Sequence, residues 1–316
     1  MTLLIALKGW DHDDWRARFQ AALPDREIVT AEMDYDPNAV RYACVWKAPH
    51  GLLATLPNLD VIFSLGAGVD HILSDPERPD RPIVRGVSSN MTMRMTEWIV
   101  LQVLLQHRQQ HAYDAFQRDR VWDASLAQPA ACDVRIGVMG LGVLGGDAAE
   151  KLSRLGFDVA GWSRSPKDIT GVTCYAGDDG LTAFLKRTDI LVCLLPDTPG
   201  TRGILNRDLF QKLAQDGALP DRFPVLINAG RGALQVEADI IASLNASELK
   251  GATLDVFETE PLPQDSPLWT HPRVIVTPHV AADSEPHAFS RYVAGQIVDY
   301  EAGKPLRNVV DLTKGY

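Results

Sequence analysis

The sequence predicts an α/β protein built of two doubly wound parallel-sheet domains, and three observations carry that prediction. Short apolar runs rich in β-branched residues alternate with helix-patterned segments along the whole chain. One of those runs feeds straight into a glycine turn of the form G-x-G-x-x-G with a helix pattern behind it. The chain has 316 residues, too many for one ordinary core and suited to two.

Taken in order, residues 3–8, 27–31, 42–46, 61–65 and 83–87 read as strands, and Trp15, Phe19 and Ala22 or Leu23 recur at helix spacing between the first two. From about residue 93, Trp98-Ile99-Val100-Leu101-Gln102-Val103-Leu104-Leu105 makes a long apolar helix crossing between domains. A loop over 122–133, containing Pro129, leads into the glycine turn. The alternation is then regular: strands at 159–162, 190–195, 225–228, 252–257 and 274–277, helices at 181–186, 208–214 and 237–244. A last helix pattern, through Tyr292, Ile297 and Tyr300, is expected to pack back on the first domain. The expected domains are therefore 1–97 with 284–316, and 98–283.

Composition excludes several classes. The longest apolar runs, such as Ile190-Leu191-Val192-Cys193-Leu194-Leu195, fall far short of the roughly 20 residues a bilayer needs, so no membrane association is expected. The N-terminus reads as a first buried strand rather than a signal, which places the protein in the cytoplasm. Cys44, Cys132, Cys174 and Cys193 lack C-x-x-C spacing, so neither a metal site nor a disulfide frame is expected. A formal net charge of −10 disfavours nucleic acid as a partner. Local positive charge must then hold any anionic substrate.

The glycine turn is Val134-Arg135-Ile136-Gly137-Val138-Met139-Gly140-Leu141-Gly142-Val143-Leu144-Gly145. Gly140 makes the tight turn, Gly142 lets a phosphate approach the main chain, and Gly145 lets helix and strand pack closely. With Val143 and Leu144 opening the helix, outward-pointing N–H groups would hold a pyrophosphate. About 20 residues on, an NAD site usually carries an acid for the ribose hydroxyls. Here the chain reads Gly161-Trp162-Ser163-Arg164-Ser165-Pro166, with no carboxylate. Arg164 can instead fork onto a 2′-phosphate with Ser163 and Ser165 beside it, which favours NADP (NADPH) over NAD; the alternative is a solvated loop arginine.

Downstream, Asn228-Ala229-Gly230-Arg231-Gly232, Asp255-Val256-Phe257-Glu258-Thr259-Glu260-Pro261 and Thr277-Pro278-His279 each place polar residues at a strand's C-terminal end, where ligands bind in such sheets. With these motifs in this order over essentially its whole length, the chain resembles the D-isomer-specific 2-hydroxyacid dehydrogenases, and more narrowly their glyoxylate/hydroxypyruvate reductase branch. The resemblance implies a Rossmann dinucleotide-binding domain and a smaller flavodoxin-like substrate domain.

It also implies roles. Arg231 would bind the substrate carboxylate and carbonyl oxygen and His279 would be the acid/base. Glu260 would be its partner rather than Glu258, because the family's motif puts its acid immediately before proline. Leu195, Pro196 and Thr201 match the family's turn against the cofactor, and Ala229, Arg231 and Asp255 are counted with them. Ser64-Leu65-Gly66-Ala67-Gly68-Val69-Asp70 is similar to the family's first-domain loop, whose main-chain N–H groups, here those of Ala67 and Gly68, grip the carboxylate. Asp70-His71 departs from the aspartate-asparagine of many relatives, so the assignment stops at Val69. Trp46, at a strand end, is either a wall of a small-acid pocket or plain core. Trp122 is a candidate to reach a neighbouring subunit in a homodimer, or else to wrap its own domain.

The chemistry agrees with that division of labour. Hydride transfer to a 2-oxo acid leaves alkoxide charge beside a carboxylate, so one guanidinium can bind the ground state and steady the transition state. An imidazolium next to a carboxylate is suited to deliver the accompanying proton. The expected activity is NADPH-dependent, metal-free reduction of glyoxylate or hydroxypyruvate. The alternatives are a reductase of a bulkier 2-oxo acid and, since some relatives are corepressors, a nucleotide-sensing binding protein.

Overall fold

The computed structural model describes residues 1–313, and its strands form two sheets, of five and seven, with every pair parallel. The chain divides accordingly into two units, Met1–Met91 with the chain from Asp283 onward, and Thr92–Ala282.

The first unit begins with β1 (Thr2–Leu7), α1 (His12–Ala22), β2 (Glu27–Thr30), β3 (Val40–Trp46), β4 (Val61–Ser64), the short α2 (Asp70–Leu73) and β5 (Ile83–Val84). Its sheet order is β2-β1-β3-β4-β5, the flavodoxin-like order. All six residues of β1 are buried, because elements cover both faces of a central parallel strand. Asp11 caps α1 by accepting the N–H groups of Asp13 and Asp14, and the helix sets Trp15 and Phe19 into the core.

The second unit opens with α3 (Ser89–His107), whose first residues still belong to the first, and α4 (Gln110–Asp119). It continues through β6 (Arg135–Met139), α5 (Val143–Arg154), β7 (Asp158–Ser163), β8 (Thr173–Ala176), α6 (Gly177–Lys186), β9 (Ile190–Cys193), α7 (Arg207–Phe210), β10 (Val225–Asn228), α8 (Glu237–Asn245), β11 (Gly251–Leu254) and β12 (Val274–Val276). The order β12-β11-β10-β9-β6-β7-β8 is that of a Rossmann sheet with one added strand. One face is covered by Met95, Ile99 and Val103 of α3 with Ala148, Ala149 and Leu152 of α5. The other carries Phe184, Leu185, Leu209, Phe210, Ile240 and Leu244 from α6, α7 and α8. The chain then returns to the first unit in α9 (Pro286–Glu301), whose Phe289 meets Trp15 edge to face at 5.7 Å.

Boundaries depart from the sequence-based ones in ways that packing explains. The division falls after Met91 rather than after residue 97, because Met95 and Ile99 already pack in the second unit's core. The α4 helix was not expected; it starts afresh after Gln109, which sits at φ 55° and breaks α3. The edge strand β8 has no fully buried residue and so no apolar run to announce it. β9 stops two residues short of expectation and β11 three short, because the chain turns there to present the residues described next.

Candidate active site

In the second sheet the winding direction reverses at β6, which lies between β7 and β9, and the glycine turn sits at that strand's C-terminal end. Gly140 has φ 108°, a conformation that side-chain-bearing residues rarely adopt, and a Cβ there would lie 2.8 Å from the Leu194 carbonyl oxygen. A Cβ on Gly145 would lie 1.9 Å from the Gly140 carbonyl oxygen, so the helix start is seated directly on the turn. Gly142, the N-cap of α5, has nothing within 4 Å of where its Cβ would be, and no side chain caps the helix. Open space over uncapped N–H groups at the start of a twelve-residue helix fits a pyrophosphate.

At the end of β7 the Ser163 hydroxyl donates to the Ser165 carbonyl oxygen at 2.8 Å, which tightens the turn that carries the exposed Arg164. Ser163 therefore spends its proton on the turn. The residues from 163 to 167 include no acid, and Asp168 follows them.

The turn after β9 is held by Thr201, whose hydroxyl donates to the Pro196 carbonyl oxygen at 2.7 Å and accepts the Thr198 N–H at 2.9 Å. Leu195 and Ala229 are nearly buried. A Cβ on Gly230 would lie 2.8 Å from the Leu195 carbonyl oxygen, so the turns after β9 and β10 pack backbone to backbone.

Arg231 is presented by a turn built from buried amides. Asn228 accepts the Gly230 N–H at 3.0 Å and donates to the Arg231 carbonyl oxygen at 3.2 Å and to Gln235 Oε1 at 2.8 Å. Gln235 donates onward to the Val256 carbonyl oxygen at 2.9 Å. A Cβ on Gly232 would lie 1.8 Å from the Phe257 carbonyl oxygen, so the arginine's turn abuts the segment that leads to Glu260. The guanidinium also donates to the Gly230 carbonyl oxygen at 2.9 Å.

His279 and Glu260 meet: Nδ1 lies 2.9 Å from Oε2, with the side chains 34% and 23% exposed, enough for a small molecule to reach the ring. The other carboxylate oxygen of Glu260 accepts the Phe257 N–H at 3.2 Å. Glu258 turns elsewhere, accepting the Glu237 N–H at 2.7 Å. The Glu260–Pro261 peptide is cis. His279 itself has φ 56°, and its N–H donates to the Asp255 carbonyl oxygen at 2.8 Å. The Asp255 carboxylate, 1% exposed, accepts the Thr277 hydroxyl at 2.6 Å and the N–H groups of Val280 and Ala281 at 2.9 and 3.0 Å. Expected as a cofactor contact, this carboxylate faces inward and is committed to bracing the histidine's turn. Sequence reasoning also missed Gln235 and the bracing by Thr277; only the polar residue that opens N-A-G-R-G hinted at Asn228.

In the first unit Trp46 ends β3 half-buried, beside the strand where that sheet reverses. A Cβ on Gly66 would lie 2.7 Å from its ring, so indole and loop are in direct contact. Ala67 and Gly68 are half-buried, and Ser64 donates to the Gly68 carbonyl oxygen at 2.9 Å. Trp122 is 99% exposed on its own chain. Burial pushes the Cys193 thiol up to about 12 and raises Cys44 as well, so both are packing groups. Among the described residues no group of His, Cys, Asp or Glu could hold a metal ion, and no helix is long and apolar enough to cross a membrane.

Residues 100–281 match the family model described as D-isomer specific 2-hydroxyacid dehydrogenase, NAD binding domain. The chain belongs to that family. Over the whole length of both proteins it is 40% identical to glyoxylate/hydroxypyruvate reductase A of Yersinia enterocolitica. Among solved structures, the NADPH-dependent glyoxylate/hydroxypyruvate reductase of Sinorhizobium meliloti, in complex with NADP and sulfate, superposes with a TM-score of 0.94 at 48% identity, covering 100% of this chain and 99% of that one. A D-isomer specific 2-hydroxyacid dehydrogenase from Xanthobacter autotrophicus Py2, in complex with NADPH and MES, gives 0.93 at 39% over the same coverage. This member of the D-isomer-specific 2-hydroxyacid dehydrogenases is thus an NAD(P)-dependent oxidoreductase, with the glycine turn in the family's NAD-binding domain.

Proposed function

We propose that the protein reduces glyoxylate and hydroxypyruvate to their 2-hydroxy acids with NADPH. The observation that carries this reading is the 2.9 Å contact between His279 and Glu260, on a turn braced by Asp255 and next to the turn of Arg231. The names of relatives matched over full length point to the same substrates and cofactor. Gly140, Gly142, Val143, Leu144 and Gly145 hold the pyrophosphate, Arg164 the 2′-phosphate, and Leu195, Pro196, Thr201 and Ala229 line the remainder. Bound NADPH supplies the hydride.

The chain's own residues do the rest. Arg231 binds the carboxylate and aims a second N–H at the carbonyl oxygen, where negative charge grows in the transition state. With Glu260 accepting from Nδ1–H, the ring is held in one orientation and its Nε2 delivers the proton to that oxygen; among the described residues Nε2 makes no other hydrogen bond. In the first unit, the N–H groups of Ala67 and Gly68 suit a carboxylate and the Trp46 ring limits substrate size. The working particle is a homodimer, a use for the fully solvent-facing indole of Trp122. Four unpaired cysteines suit the reducing cytoplasm.

The test is a spectrophotometric one: purified protein with NADPH should oxidise it steadily when glyoxylate or hydroxypyruvate is added. Tight NADPH binding without turnover on either acid would refute the assignment.

A further inference from the structure

His71 lies on α2, just past the glycine loop, and its ring ties together three parts of the first unit. Nδ1 is 3.2 Å from the main-chain nitrogen of Lys47, Nε2 is 3.2 Å from Ser64 Oγ, and the ring meets Trp46 edge-on with centroids 4.7 Å apart. A main-chain N–H can only donate, so Nδ1 presents its lone pair and the proton of the neutral ring sits on Nε2. That proton points to Ser64 Oγ, which leaves the serine's own proton for the Gly68 carbonyl oxygen at 2.9 Å. Every direction in the chain Lys47 N–H, His71, Ser64, Gly68 is thereby set from one end.

The ring is not needed to fill the core. It is half-buried, and α2 is anchored by the buried Ile72. What it joins are the ends of β3 and β4: Lys47, held left-handed at φ 47°, directly follows Trp46, while Ser64 and Gly68 bracket the loop whose Gly66 lies against the Trp46 ring.

We propose that His71 is a positioning residue for the oxo acid, locking the Trp46 ring and the N–H groups of Ala67 and Gly68 into one frame while acting only through those neighbours. This rests on the reductase reading above. Its expected signature is a change in KM for the acid with little change elsewhere, because a carboxylate grip made equally in the ground and transition states lowers KM without raising kcat.

The experiment compares wild type with H71F and H71Q, using glyoxylate kinetics and a fluorescence titration of NADPH. H71F keeps a flat ring against Trp46 but breaks both polar links. It should raise KM for glyoxylate about tenfold, the worth of one or two hydrogen bonds, with kcat within about twofold and NADPH affinity unchanged. H71Q restores a donor near the Nε2 position and should recover most of the lost KM. An unmoved KM in H71F, no recovery in H71Q, or parallel losses in kcat and NADPH affinity would each overturn the proposal. If H71F does not fold, S64A breaks the same chain on its far side and must show the same KM effect. Absence of glyoxylate turnover in wild type would instead bring down the reductase reading, whereas wild-type turnover with an unmoved KM in the variants brings down this inference alone.

Discussion

Each unit has a histidine close to a strand-end turn, and the two differ in what faces Nδ1. In the second unit the neighbour of His279 Nδ1 is a carboxylate oxygen of Glu260, a group that can only accept, so Nδ1 carries a proton and donates it there. In the first, the neighbour of His71 Nδ1 is the Lys47 N–H, a group that can only donate, so protonation at Nδ1 would set two donors against each other. The same side chain thus meets an acceptor in one place and a donor in the other, and the partner of that ring nitrogen sets which tautomer each turn holds.

The glycine turns differ in a parallel way. In the second unit the contacts forbidden to a side chain are with backbone, as between Gly145 and the Gly140 carbonyl oxygen. In the first unit the atom that faces Gly66 belongs to the Trp46 ring, and the loop is tied by the Ser64 and His71 side chains. One turn is shaped by main-chain sterics, the other by side-chain contacts.

The largest effect should come from removing the proposed acid. His279→Ala is expected to cut kcat by about 10²–10⁴-fold while NADPH titration stays near normal; if turnover stays within a few-fold of wild type, the contrast between the two histidines disappears. Next comes Gly145→Ala, whose added methyl has no room against backbone and should cost about 3 kcal/mol in a urea unfolding curve. A wild-type midpoint there would mean that the turn yields after all. Arg164→Ala follows, with NADPH affinity expected to fall roughly tenfold or more and NADH affinity to change little, since a charge-assisted hydrogen bond is worth about 1.5–3 kcal/mol. Equal losses for both nucleotides would remove the phosphate-reading role. The smallest is Gly66→Ala, which should leave the unfolding midpoint nearly unchanged and raise KM for glyoxylate several-fold, because the added methyl presses on the far end of the Trp46 side chain rather than on backbone. A loss of stability as large as that of Gly145→Ala would erase the difference between the two turns.

Much of the fold was legible because its signals are local. Apolar runs such as residues 190–193 and 225–228 became strands buried along their whole length, as parallel strands covered on both faces must be. The edge strand β8 and the helix α4 were not legible, since neither carries a buried apolar pattern that a reader of sequence could follow. At the site, the motif order pointed to Arg231, Glu260 and His279, but the inward commitment of Asp255 could not be read from its place at a strand end. Its three donors come from residues 22 to 26 positions away, which only the pairing of β11 with β12 brings within reach.

By itself the sequence determined the parallel α/β class, the glycine turn and the missing acid after β7, because each depends on the sterics, periodicity or identity of a few consecutive residues. The tertiary structure alone decided that Asp255 turns its carboxylate to Thr277, Val280 and Ala281, that Asn228 and Gln235 shape the Arg231 turn, and that His71 joins Lys47 to Ser64. The physical reason is reach: a hydrogen bond needs atoms about 3 Å apart, and for residues far apart in the chain only the packing of strands and helices sets that distance.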